Sequence, residues 1–361
     1  MTWWRRWSKD GRPDERALRQ KRKTNREDFT KYALESAAIA EAGGDPAEIG
    51  SSSYKLLRVE LYERAWELRI RAATLEQPSP IPEWDGGDLT GQTLLIRVCR
   101  PGITVGEELR MTRFIAPVAQ RARRCIVLAE ARLVPLLRRT YPGADVRPRG
   151  FDDAAAFAEA EIAANYETIA FHYAKTADDM RHSLPHLRAD PAHAGAIRQR
   201  YRLKASGPLI GISWWSKNDR KVLPDLRDWA PLLAWSSATF VSLQYGDIAS
   251  DLEVLRGLAG DRVIQDTEID QLVDLDGFAA QIAALDAVVS ISNTTIDMAG
   301  MLDALTVHIR DDKSSQIWPL SGQSPWYPNM IFLYRQQRPW PEVFAEARGR
   351  LEQIMSAAAS L

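Results

Sequence analysis

Residues Asp286 to Leu302 read DAVVSISNTTIDMAGML. The run Ala287 to Ile291 is apolar and β-branched, as in a strand buried on both faces. Ser292, Asn293, Thr294 and Thr295 follow, all small residues with hydroxyl or amide groups. Met298, Ala299, Gly300 and Met301 then read as the first turns of a helix. Strand, polar turn and helix N-terminus in that order point backbone N–H groups and hydroxyls into one small space. Such a space suits an anion, most often a phosphate. It suits a plain helix cap as well, because Asn293 and Thr295 are capping residue types. In open α/β sheets the crevice beyond the carboxyl ends of strands is where ligands bind.

The texture around this stretch is strand alternating with helix. Strands are expected at Leu209 to Ser213, Thr239 to Leu243, Arg262 to Ile264, Leu305 to Ile309 and Ile331 to Tyr334. Helices are expected near Leu226 to Ala234, Ile248 to Leu258, Phe278 to Leu285 and Met298 to Leu302, with a last one at Pro341 to Ala357. An earlier series has strands at Thr93 to Val98, Cys125 to Ala129, Ala144 to Arg147 and Thr168 to His172. Its helices begin near Glu107, Arg132 and Phe151, the last running to Ala164. Alternation of this kind implies parallel, doubly wound sheets. Residues 30–43 and 53–76 read as two helices ahead of them, parted by Gly43, Gly44, Pro46 and Gly50 to Ser53. Gln77 to Pro80 reads as a linker, and a polar helix at Ala192 to Tyr201 marks a crossover. The division expected is a helical extension over 1–80, two Rossmann-like halves over 84–200 and 205–335 facing a cleft, and a C-terminal helix over 340–361.

Composition bounds the function. The 361 residues are 45 % apolar and 26 % charged, as in a globular chain of about two domains. A net charge of −1 gives no global field for nucleic acid or an anionic membrane. No run approaches the ~20 apolar residues of a spanning helix. Cys99 and Cys125 sit in apolar, strand-like runs and read as buried thiols, so a reducing, cytoplasmic setting is expected. The start, MTWWRRWSKD, lacks the apolar stretch of a signal peptide. Residues 1–30 hold ten Lys or Arg against five Asp or Glu. Trp3, Trp4 and Trp7 among those cations fit an interfacial anchor or a terminus packed on its own protein.

Candidate chemistry lies at strand ends. Ser216, Lys217 and Asn218 follow the strand Leu209 to Ser213, where a lysine can neutralise a phosphate. Gln244 and Tyr245 follow the next strand and can hydrogen-bond and stack on a base. Asp276 fits a helix cap or a ribose ligand. Glu107, at a helix start, fits a general base facing the cleft or an acid favoured by the helix dipole. The five histidines show no ligand spacing, so no metal site is expected. No dinucleotide fingerprint, Walker lysine loop or nucleophile elbow appears, which argues against dehydrogenase, nucleotide triphosphatase and serine hydrolase chemistry.

Taken together, several runs resemble a known family. They are WDGGDLTGQTLLI from Trp84, GEELRMTRF from Gly106, LRADPA from Leu187, IGISWWSKN from Ile210, ATFVSLQYGD from Ala238, EIDQLVDLDGFAAQIAALDAVVSISNTT from Glu268 and SPWYPN from Ser324. In order and spacing the chain resembles bacterial tetratricopeptide-repeat-associated glycosyltransferases, related to the heptosyltransferase (GT9) group and more distantly to O-GlcNAc transferases. The resemblance implies an α/β GT-B fold and metal-independent transfer from a nucleotide-sugar donor, a substrate rather than a cofactor, to a protein or surface-glycan acceptor. It implies that Ser292, Asn293, Thr294, Thr295 and Gly300 line the donor diphosphate. Ser216 and Lys217 would face the same phosphates, Gln244 would lie near the nucleotide, and Glu107 would stand where the relatives place an acidic base. Five departures stand out. Asp297 replaces a histidine, and Asp303 replaces a glycine. The loop Pro101 to Val105, with its Arg100-Pro101 start, replaces a glycine-rich turn. The strand after the helix is shortened to Thr306 to Ile309 and followed by Arg310, Asp311, Asp312 and Lys313. The repeat array is absent or reduced to the helices before residue 77. A carboxylate at 297 is expected either to weaken donor binding or to turn away and pair with a cation. A catalytically impaired homologue acting as a binding or scaffold protein is the alternative these departures raise.

Overall fold

In the computed structural model, residues 26–98, 102–183, 187–205, 207–218, 221–311, 317–320 and 322–358 are described. The Trp- and Arg-rich start, Cys99, the Arg100-Pro101 loop start, Pro185, His186 and Asp312–Lys313 lie outside them.

Three helices come first: α1 (Arg26–Gly43), α2 (Pro46–Arg58) and α3 (Tyr62–Glu76). The two-helix expectation is corrected here. Asp45 caps α2 by accepting from the Ala47 N–H, and Pro46 fits its first turn. The supposed separator Gly50 to Ser53 is helical: Ile49, Ser52, Ser53, Leu56 and Leu57 are buried at helical spacing, and the serine hydroxyls are satisfied, Ser53 by the Gly50 carbonyl at 2.6 Å and Ser52 by that of Ser36 at 3.2 Å. The chain breaks instead near Glu60, which takes a left-handed φ of 64°.

The first sheet follows, with β1 (Thr93–Arg97), α4 (Val105–Met111), β2 (Arg124–Ala129), α5 (Val134–Thr140), β3 (Asp145–Pro148), β4 (Ile162–Asn165) and α6 (Tyr166–Tyr173). Its strand order is β3-β2-β1-β4, all parallel. The fourth strand was expected at Thr168 to His172, but that run is helical. Asn165 ends the strand and caps α6, its side chain accepting from the Thr168 N–H at 2.7 Å. Tyr166, Ile169 and Ala170 are then buried at helical spacing. Small residues gave Ile162 to Asn165 little strand signature, and short apolar runs do not separate strand from helix.

Helix α7 (Pro191–Arg202) crosses to the second sheet, formed by β5 (Leu209–Ser213), β6 (Thr239–Ser242), β7 (Val263–Ile264), β8 (Ala287–Ile291), β9 (Thr306–Arg310) and β10 (Met330–Tyr334). Its order, β10-β9-β8-β5-β6-β7, places β8 at the middle, and all pairs are parallel. Every residue of β5, β8 and β9 is buried, as parallel sheets covered on both faces require. Helices α8 (Leu275–Ala283) and α9 (Thr294–Met301) flank β8, and α10 (Trp340–Ala358) follows β10. Asp303, just after α9, takes a left-handed φ of 55°. Asn329 donates to its carboxylate at 2.8 Å, which helps hold an aspartate where glycine is usual.

The two sheets and the extension share one apolar interior. Trp66 of α3 is fully buried at their joint. Its indole N–H donates to the Ala174 carbonyl at 2.7 Å, and its ring meets Phe114 and Trp326 edge-on at 6.2 and 6.0 Å.

Candidate active site

Helices α4 and α9 meet with their N-terminal turns together. Gly106 permits the approach: a methyl group placed on it would lie 2.6 Å from Asp297 Oδ2 and 3.4 Å from Thr294 Cα. Beside this contact a cavity of about 520 Å³ opens between the sheets. Ser216, Lys217, Ser292, Asn293, Thr294, Thr295 and Asp297 all line it, as do Arg110 and Lys221. Leu243, Tyr245, Leu272, Leu275 and Phe278 line it as well and give it apolar surface.

The polar turn is pre-set by its own bonds. Asn293 Oδ1 accepts from the Thr295 N–H at 3.0 Å, capping α9. Its amide N–H donates to Ser213 Oγ at 2.7 Å and the Trp215 carbonyl at 3.1 Å, tying the ends of β8 and β5 together. Ser292 Oγ and His308 Nε2 are 2.7 Å apart, and complete burial keeps that imidazole well below its ordinary pKa.

Four candidate residues, Glu107, Gln244, Gly300 and Asp276, lie outside the cavity lining. Gly106 and Arg110, four apart, share the cavity face of α4; Glu107 is turned about 100° from Gly106, toward the extension. There Tyr54 donates to its carboxylate and Arg69 stands 3.7 Å away. Gln244 is buried as a clamp: its Oε1 accepts from the Trp214 and Trp215 N–H groups at 3.0 and 2.8 Å and from Ser213 Oγ at 3.1 Å. Gly300 serves packing, since a methyl group there would fall 2.6 Å from the Tyr327 ring. Asp276 is no cap either; Asp274 caps α8, while Asp276 pairs with Arg139 at 2.6 Å.

Asp297 pairs with a cation. Arg110 donates to it from Nε to Oδ1 at 3.1 Å and from Nη2 to Oδ2 at 3.4 Å, and the Tyr327 hydroxyl donates to Oδ1 at 3.0 Å. Burial raises its pKa above the usual carboxylate value, with Arg110 pulling the other way. Arg110 packs over the rings of Trp318 and Trp326, 5.3 and 5.6 Å from their centres.

Sequence reading missed Arg110 and Lys221. Helical spacing from Gly106 could have found the arginine. Lys221 gave no signal, being one lysine in a loop. Its ammonium donates to Ser216 Oγ at 2.9 Å and to the Ser292 carbonyl, and burial lowers its pKa. Lys217, by contrast, is exposed at the rim. Further bonds clasp the two sheets' elements: Arg113 to the Trp326 carbonyl at 2.8 Å, Arg132 to that of Leu272 at 2.7 Å, and the Leu187 N–H to that of Met301 at 2.7 Å. Among the described residues no group of three His, Cys, Asp or Glu is placed to hold a metal ion, and no helix is long and apolar enough to cross a membrane.

No family model matches the chain. It is 28 % identical over 304 residues to protein FlbA of Caulobacter vibrioides, a match covering 76 % of this chain and 49 % of that one. The chain thus spans about half the length of this curated relative. Among solved structures it is similar to ADP-heptose lipopolysaccharide heptosyltransferase II of E. coli, with a TM-score of 0.51, 14 % identity, and coverage of 73 % of this chain and 99 % of that one. It is also similar to a family 9 glycosyl transferase of Veillonella parvula, with a TM-score of 0.50, 11 % identity, and coverage of 78 and 98 %. Likeness at these identities speaks to architecture: two parallel sheets facing a cleft, the GT-B fold of the heptosyltransferases.

Proposed function

We propose that this chain binds a nucleotide-sugar donor in the cleft and transfers its sugar to a protein or surface-glycan acceptor, as a cytoplasmic, metal-independent enzyme. One observation carries the reading. One cavity is lined both by apolar and aromatic side chains, suited to a flat base, and by the Ser292–Thr295 turn, Lys221 and Arg110, suited to phosphates. The half over 205–335 would hold the donor and the half over 84–200 the acceptor. A second reading, binding without transfer, is favoured by Glu107: its carboxylate is engaged by Tyr54 and Arg69 and does not line the cavity.

A thermal-shift panel of nucleotides and nucleotide sugars tests the donor reading. A ligand at 100 times its Kd adds about 2.7 kcal/mol of stability, which a melt detects. No shift with any member would overturn it. Lys221→Ala removes a charge-assisted contact worth about 1.5–3 kcal/mol, so affinity for UDP, ADP or GDP should fall roughly 10- to 150-fold. Free nucleosides should be little affected, and Lys217→Ala should do less than Lys221→Ala because Lys217 is exposed. Equal losses for nucleotide and nucleoside would place Lys221 away from the phosphates.

A further inference from the structure

Glycosyl transfer to a hydroxyl needs a base in the cleft, and Glu107 does not line the cavity. Among the described lining side chains, Asp297 is the one carboxylate. It reaches across from α9 into the space that a side chain at Gly106 of α4 would fill, 2.6 Å from that Cβ position. We infer that Asp297 is the general base of this site, a catalytic carboxylate supplied by the donor-side half. The inference rests on the donor reading above.

Its two oxygens differ. Oδ1 accepts from Arg110 and Tyr327 at 3.1 and 3.0 Å, which fixes the group. Oδ2 has one contact among those described, the Arg110 Nη2 at 3.4 Å, near the limit of a hydrogen bond. Oδ2, the less tightly bonded of the two, is the oxygen assigned to the proton. Burial favours taking one, and the Arg110 guanidinium pulls the other way. In the step, the acceptor hydroxyl gives its proton to Oδ2 as its oxygen bonds to the anomeric carbon. The bond from that carbon to the leaving phosphate oxygen breaks, and its electron pair departs with the nucleotide. Neutralising Asp297 frees the Arg110 charge just as charge grows on the leaving phosphate, and both residues line the same cavity.

The test uses the full chain. Binding of UDP, ADP, GDP and CMP is read by calorimetry. Turnover is read as free nucleotide released from UDP-glucose, ADP-glucose, GDP-mannose and CMP-N-acetylneuraminate, with water as acceptor. Asp297→Asn keeps the shape and the Tyr327 contact. It should bind nucleotide at least as tightly as the parent, because the Arg110 charge is freed, while turnover falls roughly 10²- to 10⁴-fold. Asp297→Glu, which keeps the charge and serves if the amide variant does not fold, should bind and retain measurable turnover. Parental turnover in Asp297→Asn overturns the inference. So does a loss of binding that matches the loss of turnover, which would make Asp297 a support for Arg110. A glutamate variant that binds but is inert overturns it too. A parent that binds nucleotide and releases none from any sugar nucleotide removes the base and leaves the donor site standing. A parent that binds no nucleotide removes both.

Discussion

Arg69→Met should lower the stability of this protein by about 3–5 kcal/mol, the usual effect of removing one partner from a buried ion pair. Arg69 is 5 % exposed and lies between two acidic side chains of the first sheet's helices. Its Nη2 is 2.9 Å from Glu167 Oε1 and 3.7 Å from Glu107 Oε1. Its guanidinium also packs over the Tyr54 ring, 5.0 Å from the centre. Methionine fills much of the volume, so the loss is electrostatic: two buried carboxylates lose their shared cation. Arg71→Met, on the same helix but about half exposed, is the control and should change little. Denaturant midpoints at constant slope report both values. A loss near that of Arg71 would mean that water or a rotated side chain takes over the charge.

Trp66→Ala should cost about 3–5 kcal/mol, the usual range for emptying a buried tryptophan site. The site cannot collapse easily, because Phe114 and Trp326 come from different parts of the chain and each is held elsewhere. The Ala174 carbonyl also loses its indole donor. Trp326 bears on Arg113 and Arg110 at 5.3 and 5.6 Å, so the cavity's arginine should loosen as well. Melting of the parent and variant, each with and without a bound nucleotide, would show this as a lower midpoint and a smaller ligand shift. A lower midpoint with an unchanged ligand shift would confine the effect of Trp66 to stability. Both substitutions treat the three helices before residue 77 as part of the body that shapes the cleft.

Much of the second sheet was legible because buried parallel strands are continuous β-branched runs between polar turns. Ala287 to Ile291 is such a run, and the structure begins and ends β8 there. The fourth strand of the first sheet was not legible. Ile162 to Asn165 is short and small, and the run after it is apolar enough to pass for a strand. At the site, residues adjacent in sequence proved poor guides to direction. Gly106 and Arg110 face Asp297 and the cavity, while Glu107, between them in sequence, faces Tyr54 and Arg69. The turn Ser292 to Thr295 was found because cap and anion site share one signature, and the same signature left its role open. Asp297 was expected either to weaken donor binding or to pair with a cation, and it pairs. Its partner lies 187 positions earlier, a separation that no local pattern carries.

The bonds between the halves are of two physical kinds. Arg110–Asp297 is mostly buried in the cavity lining, with side-chain exposures of 6 and 9 %, whereas Arg139–Asp276 is more open to solvent at 28 and 23 %. Dissolved ions screen the second more than the first. The cleft is therefore riveted at one edge and latched at the other. The latch sits on α8, whose Leu275 and Phe278 add to the cavity's apolar lining. Added salt should therefore weaken the contact beside that lining more than the one at Asp297.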